Sequence, residues 1–242
     1  MILDSEPCTG CELCIPYCPV GAIYIEEGIA KINDDECVEC GVCFRSGICP
    51  VDCFTESELS WPRIIRAVLS NPLIESPDTR VPGRGTEEVK TNEVSGRIKT
   101  GFVGLAVELG RPGIGSRLHD VQKVTQAMAE VGAEFVPENP VTVWITDKKT
   151  GTLREEILNE KVLSAIVEFA VPIAKLKPTI EKLQAVSKEL NTVCSVVNCV
   201  KLAPDGSIPT DKIYQELGIT VRSNSKNNVG LGRPLFKFEE VS

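Results

Sequence analysis

The chain has 242 residues, with 26 Lys and Arg against 34 Asp and Glu, a formal charge of −8. An apolar fraction of 42% suffices for a packed core, which sets wholesale disorder aside, and this length admits one large or two small domains. The acidic balance excludes a binder of nucleic-acid backbone, which needs a basic face.

Taken in chain order, the start Met1-Ile-Leu-Asp-Ser-Glu6 lacks the basic and apolar stretches of a secretory signal, so a cytoplasmic setting is expected. No apolar run of about 18 residues follows anywhere, so no membrane span is expected. Cysteine then dominates: nine of the 11 lie between Cys8 and Cys53. The first run is Cys8-Thr-Gly-Cys11-Glu-Leu-Cys14-Ile-Pro-Tyr-Cys18-Pro19. Its two-residue gaps let one short loop curl around a cubane and offer three thiolates, while the fourth must come from outside the loop. The second run, Cys37-Val-Glu-Cys40-Gly-Val-Cys43-Phe-Arg-Ser-Gly-Ile-Cys49-Pro50, repeats the first with two extra residues before its last cysteine. Zinc sites use paired C-x2-C knuckles rather than triplets. Residues 1–59 carry twelve acidic side chains against Lys31 and Arg45, a net −10, which leaves +2 for the remainder and marks a boundary near residue 60.

These runs resemble the bacterial two-cluster ferredoxins over residues 1–59. The resemblance implies two [4Fe–4S] clusters with crossed ligands, one on Cys8, Cys11, Cys14 and Cys49, the other on Cys37, Cys40, Cys43 and Cys18. Pro50 aligns Cys49 with Cys18, but the insertion leaves Cys53 as an alternative fourth ligand of the first cluster; otherwise Cys53 is a buried free thiol. Eight thiolates outweigh the roughly +4 of two oxidised cores, so the loaded segment is more negative still. That charge serves either solubility or steering toward a redox partner with a basic docking face.

Residues 60–69 read as a short helix, with Ser60 as its cap, Pro62 in its first turn and Ile64, Ile65, Val68 and Leu69 as an apolar stripe packing the first unit onto the next. Residues 71–97 are rich in Pro, Gly and charge and sustain no period; they read as a linker, with Arg80, Arg84, Lys90 and Arg97 as alternative anion binders. The pattern then alternates. Strands are expected at 98–109, 141–146, 162–174 and 192–202, with a hairpin partner at 153–158, and helices at 116–131 and 178–190. This is a β-α-β-β-α-β order, that of a ferredoxin-like sandwich. The expected class is therefore α+β: a two-cluster unit (1–59), a helix and linker (60–97), the sandwich (98–221) and a tail (222–242). Residues 211–217 form a short terminal helix, and the tail ends in an apolar Pro234-Leu-Phe-Lys-Phe238 that docks on the body or a partner. Cys194 and Cys199 lie five apart in one strand, on opposite faces, and read as structural. His119 reads as a surface or packing residue.

The loop Glu108-Leu-Gly-Arg111-Pro-Gly113-Ile-Gly115-Ser-Arg117 resembles that of ACT-type regulatory domains. The resemblance implies a small-anion effector site on Arg111, Gly113, Gly115 and Arg117 and a homodimer through this domain; the alternative is a loop built for a tight turn. More broadly, the chain resembles iron–sulfur proteins of anaerobic metabolism, including 6-hydroxynicotinate reductase components, in Val81-Pro-Gly-Arg-Gly-Thr-Glu-Glu-Val-Lys-Thr-Asn92, Val94-Ser-Gly-Arg97 and Glu108-Leu-Gly-Arg-Pro-Gly113. No G-x-G-x-x-G fingerprint and no nucleophile–base pair is visible, so no catalytic residue is assigned. The reading is an electron-transfer protein or subunit in an oxidoreductase complex. The alternative is a redox-linked sensor using the ACT-like domain.

Overall fold

The structure, a computed structural model, describes residues 1–78, 80, 96, 98–111 and 113–221. In the first segment a two-stranded ribbon joins β1 (Ile2–Leu3) to β4 (Phe54–Thr55), closing the ends of the duplicated region on each other. Between them β2 (Ile23–Glu26) and β3 (Ile29–Ile32) form a hairpin. Its two-residue turn, Glu27-Gly28, has φ of 52° and 79°. Positive φ at both central residues matches the twist of the flanking strands. The core here is small: Ile23, Ala30 and Phe54 are buried beside Cys14, with Ile25, Ile32 and Ile48 packed around them. So few apolar side chains hold a segment of this length only with a further staple.

The duplication is also written in the backbone. Gly10 and Glu12 in the first cysteine run have φ of 64° and 63°, and the equivalent Glu39 and Gly41 in the second have 54° and 67°. Gly21 and Asp52, each three residues after a Cys-Pro cysteine, match likewise at 66° and 50°. Left-handed backbone costs a non-glycine residue about 1–2 kcal/mol, so Glu12, Glu39 and Asp52 mark loops held by something stronger than local preference. The copies diverge where residues were inserted: Ile15–Tyr17 is a single 3-10 turn, whereas α1 (Val42–Arg45) is a full helical turn.

Helix α2 (Ile64–Ser70) starts later than the sequence implies. Ser60 contributes its carbonyl rather than a side-chain cap, accepting from Ile64 N at 2.9 Å, and Pro62 precedes the helix. Ile65, Val68 and Leu69 are buried in the core of the following region, whereas Ile64 is exposed. The helix therefore belongs to the second core, and it is Arg63 and Arg66 that reach back to the first segment.

That second core is built on a four-stranded antiparallel sheet. β5 (Phe102–Leu109) and β11 (Ala165–Pro172) are central, β12 (Cys194–Val200) flanks β5, and β7 (Glu134–Phe135) flanks β11. Val103, Leu105, Val107 and Leu109 alternate along β5 and are all buried. They meet α3 (Leu118–Glu130) and α4 (Leu176–Ser187), which pack on each other. The chain order along this sheet is β5, α3, β7, β11, α4, β12.

Several boundaries differ from the sequence reading. The first strand begins at Phe102, because Lys99 to Phe102 closes a turn (Phe102 N to Lys99 O, 3.0 Å). Residues 116–117 are not helical but form strand β6 (Ser116–Arg117), paired with β10 (Lys161–Val162). The sheet strand expected at 141–146 is displaced to Glu134–Phe135. Gly132 ends α3, with Gly132 N bonded to Ala129 O and Ala133 N to Met128 O, and the chain turns straight back along β11. Phe135 then meets Phe169 edge-on, ring centroids 6.3 Å apart. Residues 142–144 turn as a 3-10 helix instead, since Asn139 Oδ1 captures the amide of Val141 at 2.8 Å. A small hairpin follows, β8 (Ile145–Asp147) with β9 (Thr152–Leu153), and residues 155–157 turn again as 3-10. Helix α5 (Asp211–Glu216) ends the described chain's regular structure. No described helix is long and apolar enough to cross a membrane.

Candidate metal centre

The cysteine runs line two cavities. The first has Cys8, Cys11, Cys14, Cys49 and Cys53 on its walls, with Leu3, Ala30 and Phe54 as apolar lining. The second has Cys18, Cys37, Cys40 and Cys43, lined by Val20, Ala22, Ile23 and Val38. Each cavity takes three thiols from one run and one from the other. The short loops explain this: three cysteines spaced by two residues surround one space, and the chain then carries the fourth away to the opposite cavity.

Backbone amides point at the sulfurs. Ala22 N donates to Cys18 Sγ at 3.1 Å, and Cys53 N donates to Cys49 Sγ at 3.3 Å. These two bonds are equivalent under the duplication, both running from the fourth residue after a Cys-Pro cysteine. Ala30 N donates to Cys8 Sγ at 3.4 Å. Amide donors stabilise thiolate charge and, in a loaded site, tune the cluster. Gly10 lies at a close crossing: a Cβ there would sit 2.1 Å from the Gly28 carbonyl oxygen, so the hairpin turn passes directly over the first loop.

The thiols differ in their ease of ionisation. The Ala30 and Gly10 amides hold Cys8 below the ordinary thiol value. Burial pushes Cys14 up. It also raises Cys37 and Cys40, and it drives Cys43 to about 12, with the neighbouring Cys40 and Cys37 adding to the effect. At Cys49 burial raises the value, but the Cys53 and Val51 amides and the Cys53 thiol outweigh it, and the result is a lowered thiol. Burial and the adjacent Cys49 push Cys53 up to about 12. Iron binds thiolate, so loading these cavities releases protons. The donor set is all sulfur, the walls are apolar and amides face the sulfurs, which fits an iron–sulfur cubane in each cavity.

The second cavity sits against the sheet region. Gly113 packs against the Pro19 carbonyl and Gly115 against Val20, so the loop singled out in the sequence abuts the cysteine segment. Arg117 bonds Asp35 at 2.6 Å and Glu36 at 3.0 Å, and Arg111 bonds Glu108 at 3.3 Å. Pro112 lies outside the described residues, as do Arg84, Lys90 and Arg97, the 81–92 stretch and the tail from 222. Lys161 pairs with Glu36. Lys161 and Arg117 hold Glu36 and Asp35, respectively, below the usual carboxylate range, through direct hydrogen bonds. The sequence reading missed this junction and its residues Arg63, Arg66, Glu160 and Lys161; two arginines three apart on a helix just after an acidic segment were the available signal. His119 bonds Asn159 through Nε2 at 3.0 Å. Cys194 and Cys199 lie in β12, opposite Leu109 and Gly104 of β5 and far in sequence from either cavity.

The family described as "4Fe-4S binding domain" matches residues 1–24. A ferredoxin-like protein from the vnf region of Azotobacter chroococcum is 44% identical over 55 residues, covering 22% of this chain and 85% of that protein. Pyruvate synthase subunit PorD of Methanocaldococcus jannaschii is 45% identical over 56 residues, 23% of this chain and 63% of that protein. Ferredoxin-1 of Caulobacter vibrioides is 42% identical over 50 residues, 20% of this chain and 42% of that protein. No solved structure matches the chain. The duplicated thiol runs, their amide-lined cavities and these relatives together place the chain, through its N-terminal segment, in the 4Fe–4S ferredoxin family.

Proposed function

We propose that this protein relays electrons through two [4Fe–4S] clusters, the first on Cys8, Cys11, Cys14 and Cys49, the second on Cys18, Cys37, Cys40 and Cys43. The observation that supports this is the pair of cavities, each lined by three thiols of one run and the last of the other, with Cys53 as a fifth thiol in the first. Cys49 is preferred to Cys53 because its sulfur repeats the amide contact of Cys18. The clusters supply reversible one-electron transfer. The chain's own residues hold the thiolates, exclude water with the apolar walls and aim amides at sulfur. Residues 1–59 act as the carrier. Residues 98–221, read as a ferredoxin-like sandwich, act as a body for docking or for a homodimer; exposed Val196 and Val197 on the edge strand β12 favour such a contact.

The partner is an oxidoreductase with a basic face, met over the first cavity. There Cys11 is exposed, Leu13 is 48% exposed, and Glu12 and Asp52 supply negative charge beside it. The setting is a reducing, anaerobic cytoplasm. Oxygen-free reconstitution tests the core of this reading, with iron and sulfide counted per chain and electron paramagnetic resonance followed during a redox titration. Two cubane couples are expected. A single cluster, or iron without sulfide, overturns the reading.

A further inference from the structure

The two cavities differ in the cations around them. Arg66 is 5% exposed and lies where α2 meets the second cysteine run. Its Nη1 donates to three main-chain carbonyls, of Asp34 at 2.9 Å, Asp35 at 3.0 Å and Cys37 at 2.7 Å. Its Nε pairs with Glu160, which is itself largely buried. One guanidinium thus grips the peptide of a thiol that lines the second cavity and ties it to a carboxylate of the sheet region. Other cations stand near this cavity. Arg45 bonds the Cys40 carbonyl at 2.8 Å but is exposed, and the carboxylate of Glu39 is shared by Arg63, at 2.6 Å, and by the buried Met1 ammonium, which also lines the cavity; Arg66 differs from them in gripping the Cys37 peptide itself. At the first cavity Lys31 acts on Cys8 from a partly solvated position.

We infer that Arg66 is a positioning residue that raises the reduction potential of the second cluster alone, with Glu160 setting how much of its charge is felt. This rests on the two-cluster reading. Reduction adds one electron, taken from a reduced protein partner whose own centre is oxidised by one, and no proton is needed. The added negative charge is stabilised by a nearby buried cation, which solvent and salt screen poorly. Glu160 opposes that effect. The consequence is an ordered relay: the second cluster, beneath the sheet region, keeps the electron better than its burial alone would allow, and the first, exposed cluster exchanges it with the partner.

The test is a potentiometric titration of the full reconstituted chain, following both couples by electron paramagnetic resonance in wild type, Arg66→Met, Arg66→Lys and Glu160→Gln. At the potential where wild type has one cluster half reduced, Arg66→Met should lower that cluster's reduced-to-oxidised ratio about tenfold, a shift of about 59 mV for one electron. The other couple should stay put. Arg66→Lys, which keeps the charge but not the fork, should fall between wild type and Arg66→Met. Glu160→Gln should move the same couple upward, by about threefold in that ratio, and it carries the test if Arg66→Met fails to hold its cluster. Movement of both couples together, of neither, or of one couple downward in Glu160→Gln overturns the inference while two clusters remain. A wild type with one couple instead brings down the two-cluster reading beneath it.

Discussion

The two thiol-lined cavities descend from one repeated run, yet what packs around them differs. The first lies under the surface, with Cys11 exposed and Leu13 and Val51 at its mouth. Amides keep two of its thiols, Cys8 and Cys49, easy to ionise. The second lies against the sheet region, and burial makes Cys37, Cys40 and Cys43 hard to ionise. A duplication supplies two equivalent ligand sets, and what packs on each copy makes them different. Acidic residues show the same division: Glu12 and Asp52 stand by the exposed cavity, while Asp35, Glu36 and Glu39 are paired with cations at the junction.

The largest effects come from removing a thiol. Cys14→Ala and Cys43→Ala should each lose about half of the bound iron and sulfide. Only Cys43→Ala should also lower the thermal stability of the sheet region, because its cavity abuts that region; equal loss of stability in both would erase the contrast. Within the first cavity, Cys49→Ser should lose the cluster while Cys53→Ser keeps it, read as iron and sulfide per chain; the reverse result makes Cys53 the ligand.

A smaller, backbone effect separates glycines that share a left-handed φ. Gly10→Ala drives a methyl to 2.1 Å from the Gly28 oxygen and should cost about 2–3 kcal/mol in unfolding with denaturant. Gly21→Ala meets nothing within 4 Å and should cost about 1 kcal/mol. Exposure alone should make iron release to a chelator biphasic, the first cavity emptying before the second; a single phase would mean that the sheet region shields neither.

The smallest effect is at the junction. Asp35 and Glu36 are held below their ordinary values, so the stability they add is complete above about pH 4–5 and is lost as pH falls through their depressed folded-state values. Both are substantially solvated, which limits the Glu36 pairs to about 0.5–1 kcal/mol. Glu36→Gln should unfold slightly earlier than wild type at neutral pH, and the difference should shrink as the pH is lowered below about 4.

How much was legible follows the range of each interaction. The triplet cysteines and the duplication are local, because a cubane dictates spacing within a dozen residues; the equally local Glu27-Gly28 turn was not read. The amphipathic faces of α3 and α4 and the buried alternation of β5 were legible for the same reason. The second sheet strand was not. Residues 141–146 look more like a strand than Glu134–Phe135, and only the Gly132 turn and the Asn139 side chain, acting with β11 already in place, reverse that choice.

By itself the sequence determined two runs of thiols with the spacing of iron–sulfur ligands, since ligand spacing is a property of a few consecutive residues. Tertiary structure alone decided that Cys11 is exposed at the first cavity and that the second abuts the sheet region. It also brought Arg66 from residue 66 onto the Cys37 carbonyl and Glu160, and the 110–117 loop onto Pro19 and Val20. Arg66 and Glu160 lie 94 positions apart, and the other contacts are likewise distant in sequence. They depend on how a helix and a sheet stack on a small segment that cannot bury itself, and no local pattern encodes that stacking.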